Sequence, residues 1–111
     1  MASFETEVVP EMNGGKGHVI LQHILGERER GTGCRLYARV TLKPGCSLGY
    51  HEHHGESESY YILSGTGVYD DNGTKRSVAA GDASFTPSGK GHALACSGYA
   101  DLVFIALILA E

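Results

Sequence analysis

Basic clusters are missing from this sequence. Its longest charged stretch, "ERER" at Glu27–Arg30, alternates in sign and reads as a solvated turn. The net charge is −4 and the pI about 5.8, so neither nucleic acid nor an anionic membrane is an expected partner. Long apolar runs are missing too. The longest, "LVFIALILA" from Leu102 to Ala110, has nine residues, against the roughly 20 that a membrane-spanning helix needs. The opening "MASFETEVVPEM" lacks the basic start and apolar centre of a signal peptide. Cysteine is scarce: Cys34, Cys46 and Cys96 are odd in number and show no CxxC spacing. That pattern argues against a disulfide framework and suits a reducing compartment. A cytoplasmic location is the expectation.

Helical periodicity is also lacking. No stretch of about a dozen residues, free of Gly and Pro, carries an apolar stripe of the helical period. Internal repeats, low-complexity tracts and linkers are absent. The 111 residues fit one domain spanning 1–111, with 1–15 as a possible N-terminal arm or exchanged strand. A chain this short is marginal as a monomer, and covering one face with a second copy would help, so a homodimer is expected.

What the chain does have is glycine, 16 residues of it, spaced as turns between short strands. "HVILQHIL" (18–25) is apolar and β-branched. "CRLYARVTL" (34–42) sets Leu36, Ala38 and Val40 on one face and Arg35, Tyr37 and Arg39 on the other. "LGYHEHH" and "SESYYIL" follow. "GVYDDNGTKRSV" reads as a hairpin around Asn72-Gly73, a good type I′ turn. "ASFTP", "HALACS" and "DLVFIALIL" complete the set. About eight or nine short strands argue for an all-β sandwich or barrel.

Histidine is concentrated. Three of the six lie in "HEHH", His51 to His54, which is either a solvated loop or a metal site. On a strand, His51 and His53 share a face. Glu58 opens the next strand beyond a turn at Gly55, and His92 follows the tight turn "PSGKG". In one barrel all four can converge. Three neutral imidazoles and a carboxylate suit one divalent transition metal: Mn, Fe, Co, Ni, Cu or Zn. Ca and Mg prefer oxygen ligands.

The spacing of these residues resembles the cupin family. The first cupin motif corresponds to Gly45, His51, His53, Glu58 and Gly65, and the second to Gly81, Pro87, Gly89 and His92. Fifteen residues separate Gly65 from Gly81, a short separation typical of small bacterial members. The resemblance spans residues 45–96. It implies a cupin, or double-stranded β-helix, jelly-roll barrel of two antiparallel sheets, with His51, His53, Glu58 and His92 as metal ligands. The departure is Cys96, where the family has Asn. Cys96 is either a further ligand near the metal or a small buried hydrophobe, and the missing Asn bears on how the ligands are oriented.

Several other residues are pocket or substrate candidates. Tyr60 and Ile62 continue the parity of Glu58. Glu56 shares it too, and belongs either to the barrel mouth or to a solvated turn. Arg35 and Arg39 would clamp a substrate carboxylate if their strand face points inward, and are surface charges if it points outward. His54, His18 and His23 read as surface or structural residues. A barrel metal with open positions can polarise a carboxylate or carbonyl, or bind oxygen. The resemblance therefore implies a metal-binding protein acting on or binding a small oxygen-rich acid, a dicarboxylate or keto acid. As an enzyme it would be a dioxygenase, decarboxylase, isomerase or lyase. The alternative is a non-catalytic module that binds or senses a small-molecule ligand.

Overall fold

Burial along Cys34–Leu42 shows which side of the barrel wall is inside. Ala38, Val40 and Leu42 are buried, with Leu36 half-buried beside them, while Arg35 and Arg39 are exposed. The arginine face therefore points outward and the aliphatic face lines the interior. Residues 4–111 are described in the computed structural model. They form ten strands: β1 (Thr6–Pro10), β2 (His18–His23), β3 (Cys34–Leu42), β4 (Ser47–Glu52), β5 (Glu56–Ser64), β6 (Thr66–Asp71), β7 (Thr74–Ala79), β8 (Ala83–Thr86), β9 (Gly91–Cys96) and β10 (Leu102–Ala110). One sheet runs β1-β2-β3-β10-β5-β8 and the other β4-β9-β6-β7, with every pairing antiparallel. Their inner faces meet in a core that includes Val19, Val40, Leu42, Leu94, Leu102 and Phe104.

Central β10 lies between β3 and β5 and is apolar on both faces. Leu102, Phe104 and Ala106 enter the core, while Ile105 and Leu107 face outward with Tyr37, Tyr61 and Phe85 around them. The hairpin between β6 and β7 turns at Asn72 (φ 51°) and Gly73 (φ 101°), the two positive values that a type I′ turn demands. Asp70 Oδ1 accepts from the Gly73 N–H at 2.8 Å.

Three local features differ from the sequence expectation. "ERER" forms one helical turn, with Arg30 donating to the Leu25 carbonyl at 2.8 Å. The strand expected over 18–25 ends at His23. The segment 1–15, expected as an arm or exchanged strand, supplies β1, hydrogen-bonded to β2 of the same chain, followed by a 3-10 turn at Met12–Gly14; residues 1–3 of that segment lie outside the described residues. The 3-10 turn packs on β4 so closely that a Cβ on Gly49 would strike the Asn13 carbonyl. Glycine at 49 is therefore what seats Met12 and Asn13 at the barrel mouth.

Candidate metal centre

A β-bulge aims the first histidine. In the β4–β9 ladder Leu48 faces Leu94 and His51 faces His92, so Gly49 and Tyr50 together oppose Ala93. The extra residue reverses the parity of the strand. Leu48 and His51, three positions apart, both line the barrel cavity, while Tyr50 is exposed. β4 ends at Glu52, one residue short of His53. The chain nevertheless stays extended there: the His53 N–H donates to the Lys90 carbonyl at 3.0 Å, and its own carbonyl accepts from Gly89 at 2.7 Å. Glu58 comes from β5 and His92 from β9, and both are buried.

The structure brings these four side chains to one point. Nε2 of His92 lies 3.0 Å from Nε2 of His51 and 3.1 Å from Nε2 of His53. Oε1 of Glu58 lies 2.9 Å from His92 Nε2, 3.0 Å from His53 Nε2 and 3.7 Å from His51 Nε2. The four ligand atoms all fall within 4.8 Å of one another.

What the far ring nitrogens do decides what the near ones can do. Nδ1 of His51 lies 2.8 Å from the Gly49 carbonyl, which only accepts, so the proton of neutral His51 sits on Nδ1. Nδ1 of His53 likewise donates to Oε2 of Glu56 at 2.7 Å. Nδ1 of His92 meets the Tyr69 hydroxyl at 2.9 Å and the Thr86 hydroxyl at 3.0 Å. With Nδ1 protonated, each Nε2 presents a lone pair to the common centre. Lone pairs and a carboxylate packed at about 3 Å repel unless a cation or a proton lies among them. This donor set fits one transition-metal ion: the Gly49 carbonyl and Glu56 hold His51 and His53 in the ligating tautomer, and the hydroxyls behind His92 can accept its Nδ1 proton.

Without a metal, protons on the imidazole Nε2 atoms take the cation's place. Burial pushes the Glu58 carboxyl up, but hydrogen bonds from His51, His53 and His92 outweigh it and hold Glu58 well below the usual carboxylate range. The bond to Glu58 raises His53 despite its burial, and Glu56 adds to the rise. Burial lowers His92, assisted by the charges of His51 and His53 and opposed by Glu58. Tyr60, fully enclosed and stacked on the His92 ring at 4.8 Å between centroids, is pushed well up by burial and by Glu58.

A cavity of about 280 Å³ opens beside the cluster, walled by side chains from both sheets and closed at one side by Met12 and Asn13. Of the remaining candidates, Tyr60 and Glu56 line it. Ile62 does not: it points inward, but lies deeper along β5, packed in the core opposite Phe104. Cys96 does not either; it is a buried core residue whose thiol donates to the Ala100 carbonyl at 3.3 Å. Arg39 is on the outer face. Arg35 sits at a second bulge, where β10 pairs with Leu36 and then Cys34. From there its Nη1 donates to Oε1 of Glu56 at 2.7 Å. Glu56 is accordingly no solvated turn carboxylate: both its oxygens are engaged, and the bonds from Arg35 and His53 hold its carboxyl down against the upward push of burial.

The residues behind the imidazoles escaped the sequence reading. Thr86 immediately precedes Pro87 of the second motif, a signal that could have been followed. Tyr69 and the Gly49 carbonyl carry no local signal; only strand pairing brings them to the rings.

Comparison with known proteins agrees with this architecture. Residues 38–108 match the family described as "Cupin domain". The chain is 45% identical over 108 residues to an oxalate-binding protein of Thermotoga maritima, an alignment covering 94% of this chain and 89% of that one. It superposes on the crystal structure of a predicted oxalate decarboxylase from Thermotoga maritima with a TM-score of 0.94 and 42% identity, covering 100% of each chain. KdgF from Halomonas sp. shares the fold at a TM-score of 0.78 and 17% identity, over 97% of this chain and 87% of that one. Two packed antiparallel sheets, two glycine-framed motifs on spacing and a match running through both place this chain in the cupin family.

Proposed function

We propose that this protein holds one divalent transition metal through His51, His53, Glu58 and His92, and uses it to bind a small oxygen-rich acid, oxalate or a keto acid. The observation that carries this reading is the convergence of three imidazole Nε2 atoms and one carboxylate oxygen, with the Nδ1 atoms occupied from behind. Mn, Fe, Co, Ni, Cu and Zn all accept such ligands. A metal here supplies a positive centre that accepts and neutralises ligand oxygens. The name of the Thermotoga maritima oxalate-binding protein supports oxalate as the first ligand to test.

Binding without turnover is the favoured form of this reading. Acid–base catalysis wants a group free to exchange a proton beside the reacting atoms. Glu58 belongs to the ligand set, and Glu56 is bonded at both oxygens. Tyr60 and Tyr69 are enclosed beside the cluster, and burial raises both so that the phenols stay protonated; of the two, Tyr60 lines the cavity. A decarboxylase reading would rest on Tyr60 as proton donor.

The outer face of the larger sheet supports a homodimer. Tyr61 and Phe85 are 50% and 60% exposed there, and flank a depression of about 480 Å³ floored by Ile105 and Leu107. Contiguous apolar surface of this kind is usually covered. The free thiols of Cys34, Cys46 and Cys96 support a reducing, cytoplasmic setting.

The test is elemental analysis of protein purified without chelator, followed by oxalate titration calorimetry before and after metal removal. About one metal per chain, with oxalate binding lost on stripping and in His51→Ala, is the expected result. Oxalate binding that survives in metal-free protein would overturn the proposal.

A further inference from the structure

The cavity beside the cluster is larger than oxalate requires, and its walls are of the wrong chemistry for a second carboxylate. We infer that it selects keto acids with an apolar tail, whose head reaches the metal cluster and whose hydrocarbon body lies against the aliphatic wall. This inference rests on the metal-site reading above and names the ligand class for the same pocket.

The wall is built from three strands of the larger sheet. Leu21 comes from β2, Leu36 and Val40 from β3, and Phe104 and Ile108 from β10, while Leu48 closes the side formed by β4. These residues project inward because of the same alternation that turns Arg35 and Arg39 outward. Oxalate consists of two joined carboxylates. It is all head, and leaves the rest of the 280 Å³ cavity to water against hydrocarbon. An isobutyl group in that space removes apolar surface from water on both partners.

Charge points the same way. Among the described residues no Lys or Arg lines the cavity, whereas Glu52, Glu56 and Glu58 do. Arg35, close behind Glu56, is committed to that carboxylate at 2.7 Å. A ligand with a distant second carboxylate would bury it against leucine and phenylalanine, or hold it towards the acidic rim, with no cation to pair it. A single chelating head and an uncharged body meet neither penalty.

The experiment is calorimetric titration of the manganese-loaded protein with oxalate, pyruvate, α-ketoisocaproate and α-ketoglutarate. Here α-ketoisocaproate should bind roughly tenfold or more tighter than pyruvate, the ratio expected from burying its tail, and tighter again than α-ketoglutarate. Ile108→Lys, which sets a cation into the wall, should shift the preference towards α-ketoglutarate. Equal affinities for pyruvate and α-ketoisocaproate in the native protein, or a preference for α-ketoglutarate, would overturn the inference while oxalate binding left the metal reading intact. Loss of oxalate and keto-acid binding alike from protein shown to retain manganese would overturn both.

Discussion

Glu56 bends back over three positions of chain to place Oε2 2.7 Å from Nδ1 of His53. Its other oxygen is pinned at 2.7 Å by Arg35 of β3, which reaches past the intervening β10. The carboxylate thus fixes the ring's rotation and tautomer without touching the ligand point.

Removing that partner should loosen the site. Glu56→Ala should weaken metal affinity about 10- to 100-fold, the usual cost of losing a carboxylate behind a ligating histidine. Arg35→Ala should cost less, because the Arg35 side chain is half-exposed and solvent screens such pairs. Competition against a chromophoric chelator would measure both. Equal affinity in Glu56→Ala and the native protein would refute the orienting role.

Tyr69 and Thr86 share one job at the His92 Nδ1, and they also contact each other at 2.9 Å. Tyr69→Phe should therefore cost only about 1–2 kcal/mol of stability, as a single buried hydroxyl usually does. Combining it with Thr86→Val should cost more metal affinity than either change alone, since His92 would then lack any partner behind it. Urea melts of the metal-free forms and metal titrations of each variant give the cycle. Strict additivity would mean that the two hydroxyls act independently.

Acid should release the metal, and the direction follows from the shifts in the cluster. His53 is raised, chiefly by its bond to Glu58, so in the metal-free protein it keeps its proton to a higher pH than an ordinary imidazole. That protonated contact stabilises the metal-free fold below the unfolded pKa, and the contribution is lost as pH rises through the folded pKa. Glu58 is lowered and stays ionised throughout the same window. Metal uptake must displace the His53 proton, so affinity rises with pH through and above about 6.5. The melting temperature of the metal-loaded form should exceed that of the stripped form by a margin that shrinks steadily from about pH 8 to about pH 5. A margin that stays constant across that range would exclude histidine ligation.

Gly49→Ala tests how the mouth is closed. The added methyl would strike the Asn13 carbonyl, so the 3-10 turn carrying Met12 must shift off β4. Amide exchange at residues 12–15 should accelerate, while the β5–β10 ladder stays protected. Unchanged exchange at Gly14 and Gly15 would show that the turn absorbs the methyl in place.

Phe85→Lys probes the outer sheet face. Phe85 is 60% exposed in the single chain, so a charge there should leave folding intact and convert a dimer into a monomer by light scattering at micromolar concentration. A native protein that already runs as a monomer would remove the homodimer from consideration.

Strand order in sequence, the Asn72-Gly73 hairpin and the spacing of the histidines were legible because they depend on neighbours along the chain. Alternation in Cys34–Leu42 divided the wall residues correctly into two faces, but which face is inside depends on what packs against them. That is why Arg35 and Arg39 stay open as clamps until the second sheet, with Leu48 and Leu94, is seen to pack on the Ala38 and Val40 face. The bulge at Gly49–Tyr50 is invisible locally, since an extra residue exists only relative to the β9 ladder it interrupts. It is that bulge which lets Leu48 and His51 face the same cavity. Glu56 shows the same limit from the side of charge. Its sequence position suits a solvated turn, and only the approach of Arg35 from β3 and of His53 from the end of β4 turns it into a bridge. Sequence determines which donors a strand can present to a face; pairing with other strands decides which of them meet, because hydrogen bonds and metal ligation act over about 3 Å and not along the chain.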